Sequence, residues 1–347
     1  MAIFPTFLQD AIIRVPESDA FKKFEGRLSV YDAFRAFQSN TDMLVPASEM
    51  EAAKKSSRHV TKIPVLNKID FSIGSARACE PADTAVVSAF AQPSYNTYTF
   101  SFHMVDSYNV TNYISYAEEF SHKMLQGLKK FGETIDGAAV AFLEANLSQV
   151  NTSPLFGGLV GDTVTVAQSK KEEFYKSIPS IMRRNDLPDM RVLDIANPEA
   201  QIMYDFLARQ GEGNSVNTGY QISNFAPYRS NRVSLDAGTT EAHYLVPEGH
   251  IGVLDWIPED YRVGRVISDG DLWSSVVDPV FGLTWGLRYV AKCTDLSGVA
   301  GGIDDLTTAY VEKYEFSIDM AFLTSYSSDT SSPIFKYNID EDDVIPS

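Results

Sequence analysis

Thr97-Tyr98-Thr99-Phe100-Ser101-Phe102-His103-Met104 alternates without a break. Tyr98, Phe100, Phe102 and Met104 share one face while Thr97, Thr99, Ser101 and His103 share the other, the two-residue period of a half-buried strand. From about Asn112 the period changes. Ala117, Phe120, Met124, Leu128, Phe131, Ile135, Ala138 and Phe142 recur at steps of three and four, which is one apolar stripe along a helix. Thr111 or Asn112 caps its start, and the polar run at 146–152 stops it. Taken from 113 to 148, this helix measures about 54 Å at 1.5 Å per residue, far above the usual length of about 11 to 12 residues. Gly127, Gly132 and Gly137 lie inside it, each costing about 1 kcal/mol relative to Ala. They mark a bend or a place where another segment packs close.

Upstream of this strand and helix, residues 59–105 have strand chemistry throughout. Runs at 60–71, 84–90 and 97–104 are punctuated by Gly74 and by Glu80-Pro81-Ala82-Asp83. Residues 1–58 mix short apolar clusters with charges, and Ser18-Asp19 is placed to cap a helix reaching about Phe37. This stretch reads as an arm that leans on something else. A ribbon and an arm of this kind are hard to stabilise within one monomer, because a lone hairpin is marginal in water. Symmetric assembly is the common way to bury such extensions repeatedly.

Downstream, α and β elements alternate. Residues 172–184 read as a helix despite Pro179, and Met190-Arg-Val-Leu-Asp-Ile-Ala196 reads as a buried strand. Asn197-Pro198 then starts a helix with Ile202, Met203, Phe206 and Leu207 on one side, ending near Gly211. Residues 214–230 read as a loop. Strands follow at 242–246 and 251–254 around the turn Pro247-Glu-Gly249. Two more alternate along Trp285, Leu287, Tyr289 and Ala291 and along Tyr314, Phe316, Ile318, Met320 and Phe322, joined by a glycine-containing loop at 296–305. An acidic run at 340–343 closes the chain as a solvated tail or a contact to a neighbour's basic patch.

Composition narrows the function classes. The 347 residues are 44% hydrophobic and 22% charged, ordinary globular usage that supports a core. The net charge of −17 argues against a dedicated nucleic-acid reader, whose footprint is clustered Lys and Arg. An acidic surface also suits a container wall facing DNA. Cys79 and Cys293 are far apart and lack metal spacing, so we expect buried thiols in a reducing compartment. We expect neither a signal peptide nor a membrane span.

Chemistry-bearing patterns are few. Gly157-Gly-Leu-Val-Gly161 lacks a following Lys and reads as a turn. His59, His103, His122, His243 and His250 are scattered, although His243 and His250 lie on adjacent expected strands that could meet across a turn. Asp255, Glu259 and Asp260, with Asp269 and Asp271, resemble paired acids but sit in polar, turn-rich stretches and read as solvated. Trp256, Trp273 and Trp285 with Tyr261 are the makings of a sugar platform, yet their spread favours core packing. We expect no catalytic, cofactor-binding or metal residues.

Three stretches resemble the major capsid proteins of tailed bacteriophages. Lys123-Met-Leu-Gln-Gly-Leu-Lys-Lys-Phe-Gly-Glu-Thr-Ile-Asp-Gly-Ala-Ala-Val-Ala-Phe-Leu143 resembles that family's spine helix. Met190-Arg-Val-Leu-Asp-Ile-Ala-Asn-Pro-Glu-Ala200 is similar to its strand-to-helix step in the axial domain. Glu241-Ala-His-Tyr-Leu-Val-Pro-Glu-Gly-His-Ile-Gly-Val-Leu254 looks like its later axial hairpin. The resemblance implies an α+β Hong Kong-type capsid fold, shared with encapsulins. It implies an N-terminal arm at 1–58, an extended β-loop at 59–105, and a spine helix with peripheral domain at 106–185. An axial domain follows at 186–284, then peripheral strands and an acidic tail at 285–347.

The implied function is a non-enzymatic shell subunit forming pentamers and hexamers of an icosahedral virion capsid around double-stranded DNA. That DNA is contacted without sequence specificity, and assembly occurs in the host bacterial cytoplasm. Some family members begin with a scaffolding segment for which this chain leaves no room. The resemblance therefore implies a separate scaffolding protein, or a sequence already processed, with portal and other virion proteins as further partners and no membrane. The alternatives are an encapsulin-like compartment, another phage structural protein such as a tail-tube subunit, and, from a different class, a hydrolase or sugar-binding protein.

Overall fold

The computed structural model describes residues 31–60, 62–65, 89–105, 116–148, 157–185, 187, 191–210, 225–267, 271–295, 308–325 and 332–342. The expected cap at Ser18-Asp19, Cys79 and the middle of the ribbon, the cap at Thr111 or Asn112, Asp269, and the loop at 296–305 lie outside them.

The expected long helix is α3, Tyr116–Ala145, preceded by α1 (Asp32–Leu44) and α2 (Ala47–Lys55). Its 30 residues span about 45 Å. The alternating stretch is β3, Asn96–Val105, and its aromatic face lies against α3. Phe100 explains one of the helix glycines, because a Cβ on Gly127 would stand 2.4 Å from Cδ2 of that ring. Gly132 likewise admits Phe281, whose Cζ would be 2.9 Å from a Cβ, whereas nothing lies within 4 Å at Gly137. Around this contact Phe100 stacks on Phe316 at 4.8 Å, and Trp285 meets both Phe100 at 5.2 Å and Phe131 at 4.7 Å. Truncating any one of such buried rings to Ala costs about 3 to 5 kcal/mol, so this aromatic layer is a main source of stability.

β3 is the edge of a six-stranded sheet built with β9 (Ile251–Trp256), β10 (Arg265–Ile267), β11 (Asp271–Val277), β12 (Thr284–Asp295) and β13 (Thr308–Thr324). The order runs β10-β11-β12-β13-β3 and every pairing is antiparallel. The 17-residue β13 is the axis of this sheet: residues 308–317 pair with β12 and residues 319–324 with β9, while β3 lines the other side along 311–320.

A second six-stranded sheet has the order β4-β5-β14-β8-β6-β7. It is formed by β4 (Gly157–Val160), β5 (Thr163–Val166), β6 (Val192–Ala196), β7 (Phe225–Arg229), β8 (Thr239–Pro247) and β14 (Phe335–Asp340). Helices α4 (Lys171–Arg184) and α5 (Ala200–Gln210) supply Phe174, Tyr175, Ile178, Ile181, Met182 and Leu207 to its core. Among the described residues, β1 (Ile63–Val65) and β2 (Ala89–Ala91) pair only with each other.

Several expectations are corrected here. The stretch at 97–104 is not part of a projecting loop but an edge strand of the body, because its four apolar side chains cover α3. The arm from residue 31 onward is also body: Phe34 and Phe37 are at most 1% exposed, packed on Phe281, Phe142 and Phe322. Asn40 and Thr41 side chains accept the backbone N–H of Gly249 and of Val253, both at 3.0 Å, which staples α1 to the start of β9.

β8 and β9 do not form a hairpin, since β8 pairs with β14 and β6 while β9 pairs with β13. Residues 225–229 form a parallel strand with β6 instead of continuing the loop. Gly157–Val160 is likewise strand, with the turn confined to Gly161 (φ 61°) and Asp162. The grouping by sheet also departs from the expected segments: β10 and β11 join β12, whereas β4, β5 and β14 join β8.

Candidate functional site

The residues flanking β1 and β2 are fixed to the body by an aromatic and ionic clasp. His59, just before β1, stacks on Tyr95, just after β2, at 4.3 Å between ring centroids. The His59 ring also meets the edge of Trp256 at 4.4 Å, and its Nε2 lies 2.8 Å from Asp319 Oδ2 on β13. Trp256 Nε1 donates to Ser56 O at 3.1 Å, and Arg262 donates to the carbonyls of Lys54 and Ser56 at 2.6 and 2.5 Å. Lys54 pairs with Asp255 at 2.8 Å. Burial, with Asp255 and Asp319 nearby, pushes the Tyr95 phenol up to about 12, so it stays neutral. Both legs of the two-stranded ribbon therefore start from fixed points on β9 and β13. Beyond them the described ribbon is held by three residue pairs, Ile63 with Ala91, Pro64 with Phe90 and Val65 with Ala89.

The tryptophans do not converge. Trp256 belongs to this clasp, Trp285 is fully buried in the aromatic layer, and Trp273 stacks on Tyr261 at 4.6 Å with Arg288 5.8 Å from its ring. The acidic groups are divided as well. Asp255 is taken by Lys54, Glu259 and Asp260 open the short helix α6 (Glu259–Val263), and Asp271 holds Arg288 at 3.0 Å.

His103 and His122 are exposed on β3 and α3. His250 Nδ1 sits 3.1 Å from Glu248 O, with its pKa lowered by burial. His243 faces a different sheet from β9, so the two histidines are not cross-strand neighbours. Among the described residues no group of three or more His, Cys, Asp or Glu is arranged to hold a metal ion, and no helix is long and apolar enough to cross a membrane.

Sequence reasoning missed a buried ionic network in the second sheet. Asp194 on β6, in the middle of Val-Leu-Asp-Ile-Ala, has no solvent exposure and lies 2.7 Å from His243 Nδ1 and 2.8 Å from Arg229 Nη1. His243 Nε2 lies 3.4 Å from Glu241, which also holds Lys171 at 2.5 Å and accepts from the Tyr175 hydroxyl at 3.0 Å. Burial alone raises both carboxyls, but His243 with Arg229 and His243 with Lys171 outweigh it, so Asp194 and Glu241 titrate below their ordinary values. Burial lowers His243, and the two carboxylates outweigh that and raise it. The signal was an acid inside an apolar strand, which must be paired to be buried. The arrangement ties β6, β7, β8 and α4 together.

Asp136 does the same for α3. It accepts the Phe34 N–H at 3.0 Å and the Ser230 hydroxyl, joining α3 to α1 and to the end of β7. Two turns further along, in the last turn of α3, Glu144 accepts from Tyr244 at 2.6 Å and from Lys336 at 3.0 Å.

Apolar side chains also face outward. α5 divides its expected apolar side, with Leu207 buried and Met203 packed beneath, while Ile202 is 74% and Phe206 54% exposed one turn apart. Leu159 and Val160 are exposed on β4, an edge strand.

No protein-family model matches this chain, and no curated protein matches it in sequence. Solved structures do match. The cyanophage A-1(L) capsid asymmetric unit is 11% identical with a TM-score of 0.50, covering 91% of this chain and 94% of that one. A chain of Mycobacterium phage Che8 is 9% identical with a TM-score of 0.47 over 86% and 89%. The capsid structure of cyanophage P-SCSP1u is 11% identical with a TM-score of 0.43 over 80% and 81%. The first of these carries the fold: this chain has the α+β Hong Kong-type fold of phage capsid proteins.

Proposed function

We propose that this chain, which has the phage capsid fold, is a major capsid protein that assembles into pentamers and hexamers of an icosahedral shell around phage double-stranded DNA. The observation that carries this reading is the ribbon. β1 and β2 pair only with each other among the described residues, yet both of their flanks are anchored rigidly to the body. A two-stranded ribbon is marginal alone in water, so a sibling subunit is the natural surface to cover it. The exposed Ile202 and Phe206, on the helix layer of the second sheet, are a further apolar surface suited to contact between copies.

On this reading α3 is the spine, the sheet around β13 is the peripheral domain and the sheet around β8 is the axial domain. Residues 1–58 and 59–105 then hold the arm and the extended loop as segments, with their described inner parts built into the body. A separate scaffolding protein and a portal are the expected assembly partners, and assembly takes place in the host cytoplasm, with the shell ending in the virion. The acidic surface keeps the wall from sticking to the DNA it encloses.

Electron microscopy of the protein expressed with a scaffold tests this. Closed isometric particles support it, whereas stacked rings would assign the chain to a tail tube. Closed particles packed with an enzyme instead of DNA would assign it to an encapsulin-like compartment.

A further inference from the structure

Tyr31 pairs with Ser230 in an isolated antiparallel bridge, which sets Asp32, the first residue of α1, beside Arg229 at the end of β7. Two opposite charges meet there without joining. Arg229 is 9% exposed and turns one side of its guanidinium to the second sheet, where Nη1 donates to Asp194 Oδ2 at 2.8 Å and to the carbonyls of Asp194 and Tyr228, both at 3.1 Å. Its other edge, Nε with Nη2, is buried and has no acceptor among the described residues. An edge of this kind is the planar fork that takes a carboxylate through two parallel hydrogen bonds.

Asp32 sits instead 3.6 Å from Arg35, whose side chain is 44% exposed. Burial pushes the Asp32 carboxyl up to about 6, against the pull of Arg35 and of the Arg229 N–H. The neighbouring carboxylates of α3 are engaged elsewhere. Asp136 accepts from the Phe34 N–H and the Ser230 hydroxyl, and Glu133 holds Tyr31, Lys130 and Arg232. Asp32 is thus the carboxylate able to turn. An exposed ion pair contributes little to stability, whereas a buried donor without an acceptor is costly, so moving Asp32 from Arg35 to Arg229 gives up the lesser contact and satisfies the greater need.

We propose that Asp32 is a latch with two positions, one on Arg35 and one on the open edge of Arg229, and that the second ties the start of α1 to the buried network of Asp194 and His243. The latch lies within one subunit and is independent of how copies assemble. Only the ionised carboxylate closes on Arg229. Acid therefore opens the latch, because the position on Arg35 keeps its proton up to about 6 while the position on the guanidinium fork binds a proton less readily.

The test removes the competing partner. Full-length R35A, D32N and D32N/R35A proteins, each checked for an unchanged thermal unfolding profile, are compared with the parent by hydrogen exchange over residues 32–44. At pH 7, R35A should exchange about threefold more slowly than the parent, the scale of an exposed ion pair that no longer competes. At pH 5 that slowing should vanish, and D32N/R35A should exchange like D32N at both pH values. His243, which titrates on the far side of Asp194, is present in every protein, so its effect cancels in ratios taken at one pH. An R35A protein that exchanges as fast as the parent or faster at pH 7 overturns the latch and makes Arg35 a plain support of α1. A slowing that survives at pH 5, or that persists in D32N/R35A, overturns it as well.

Discussion

His243 Nδ1 and Asp194 Oδ1 lie 2.7 Å apart with neither side chain exposed to solvent. Because His243 titrates above its ordinary value in the folded chain, its contribution is present at low pH and is lost as pH rises through that raised value. Asp194 and Glu241 titrate below theirs, so their contribution is present at neutral pH and is lost as pH falls through the depressed values. Stability should therefore peak between the two limbs. His243→Gln leaves two buried carboxylates without their shared cation and should cost about 3 to 5 kcal/mol, with the alkaline limb abolished. Denaturant midpoints measured across pH check this, and an alkaline limb that persists in the variant would sink it.

Gly127 and Gly137 should respond with opposite signs to the same substitution. Gly127→Ala drives a Cβ into the Phe100 ring and should destabilise by about 1 to 3 kcal/mol, the usual cost of overpacking. Gly137→Ala meets nothing and should stabilise by up to about 1 kcal/mol through helix propensity. Equal effects in chemical denaturation would mean that β3 does not lie against the spine.

His59→Ala removes the stacked partner of Tyr95 and leaves the nearly buried Asp319 without its imidazole. A loss of about 1 to 3 kcal/mol is expected from the orphaned acceptor, concentrated at the ribbon. Hydrogen exchange should quicken at Ala89–Ala91 while Phe120–Leu143 of α3 stays protected. Uniform quickening would show that the clasp is not a local device.

Ile202→Ser with Phe206→Ser should leave folding within about 0.5 kcal/mol of the parent, as surface substitutions do. Subunit association should nevertheless weaken, which light scattering would register. A variant that unfolds instead would place these side chains in the core.

What the sequence made legible follows from range. β3 and α3 each display their period within one segment, and β12 and β13 alternate clearly, so these elements were readable. The role of Phe34 and Phe37 was not, because their partners Phe281 and Phe322 lie more than 200 residues away in the chain. The turn at 247–250 has hairpin chemistry, with Gly249 at φ 78°, but distant β14 and β13 choose the partners of β8 and β9. β7 was hidden by Pro227, which is tolerated because β7 is an edge strand. Asp194 and His243 each looked like ordinary strand residues until the sheet brought them together.

The most direct measurement is a cryo-electron microscopy reconstruction of particles assembled from this chain. The account predicts five- and six-membered rings of subunits in a closed shell, with β1 and β2 of each subunit lying across its neighbour. Subunits that remain single, with that ribbon packed on their own body, would contradict it.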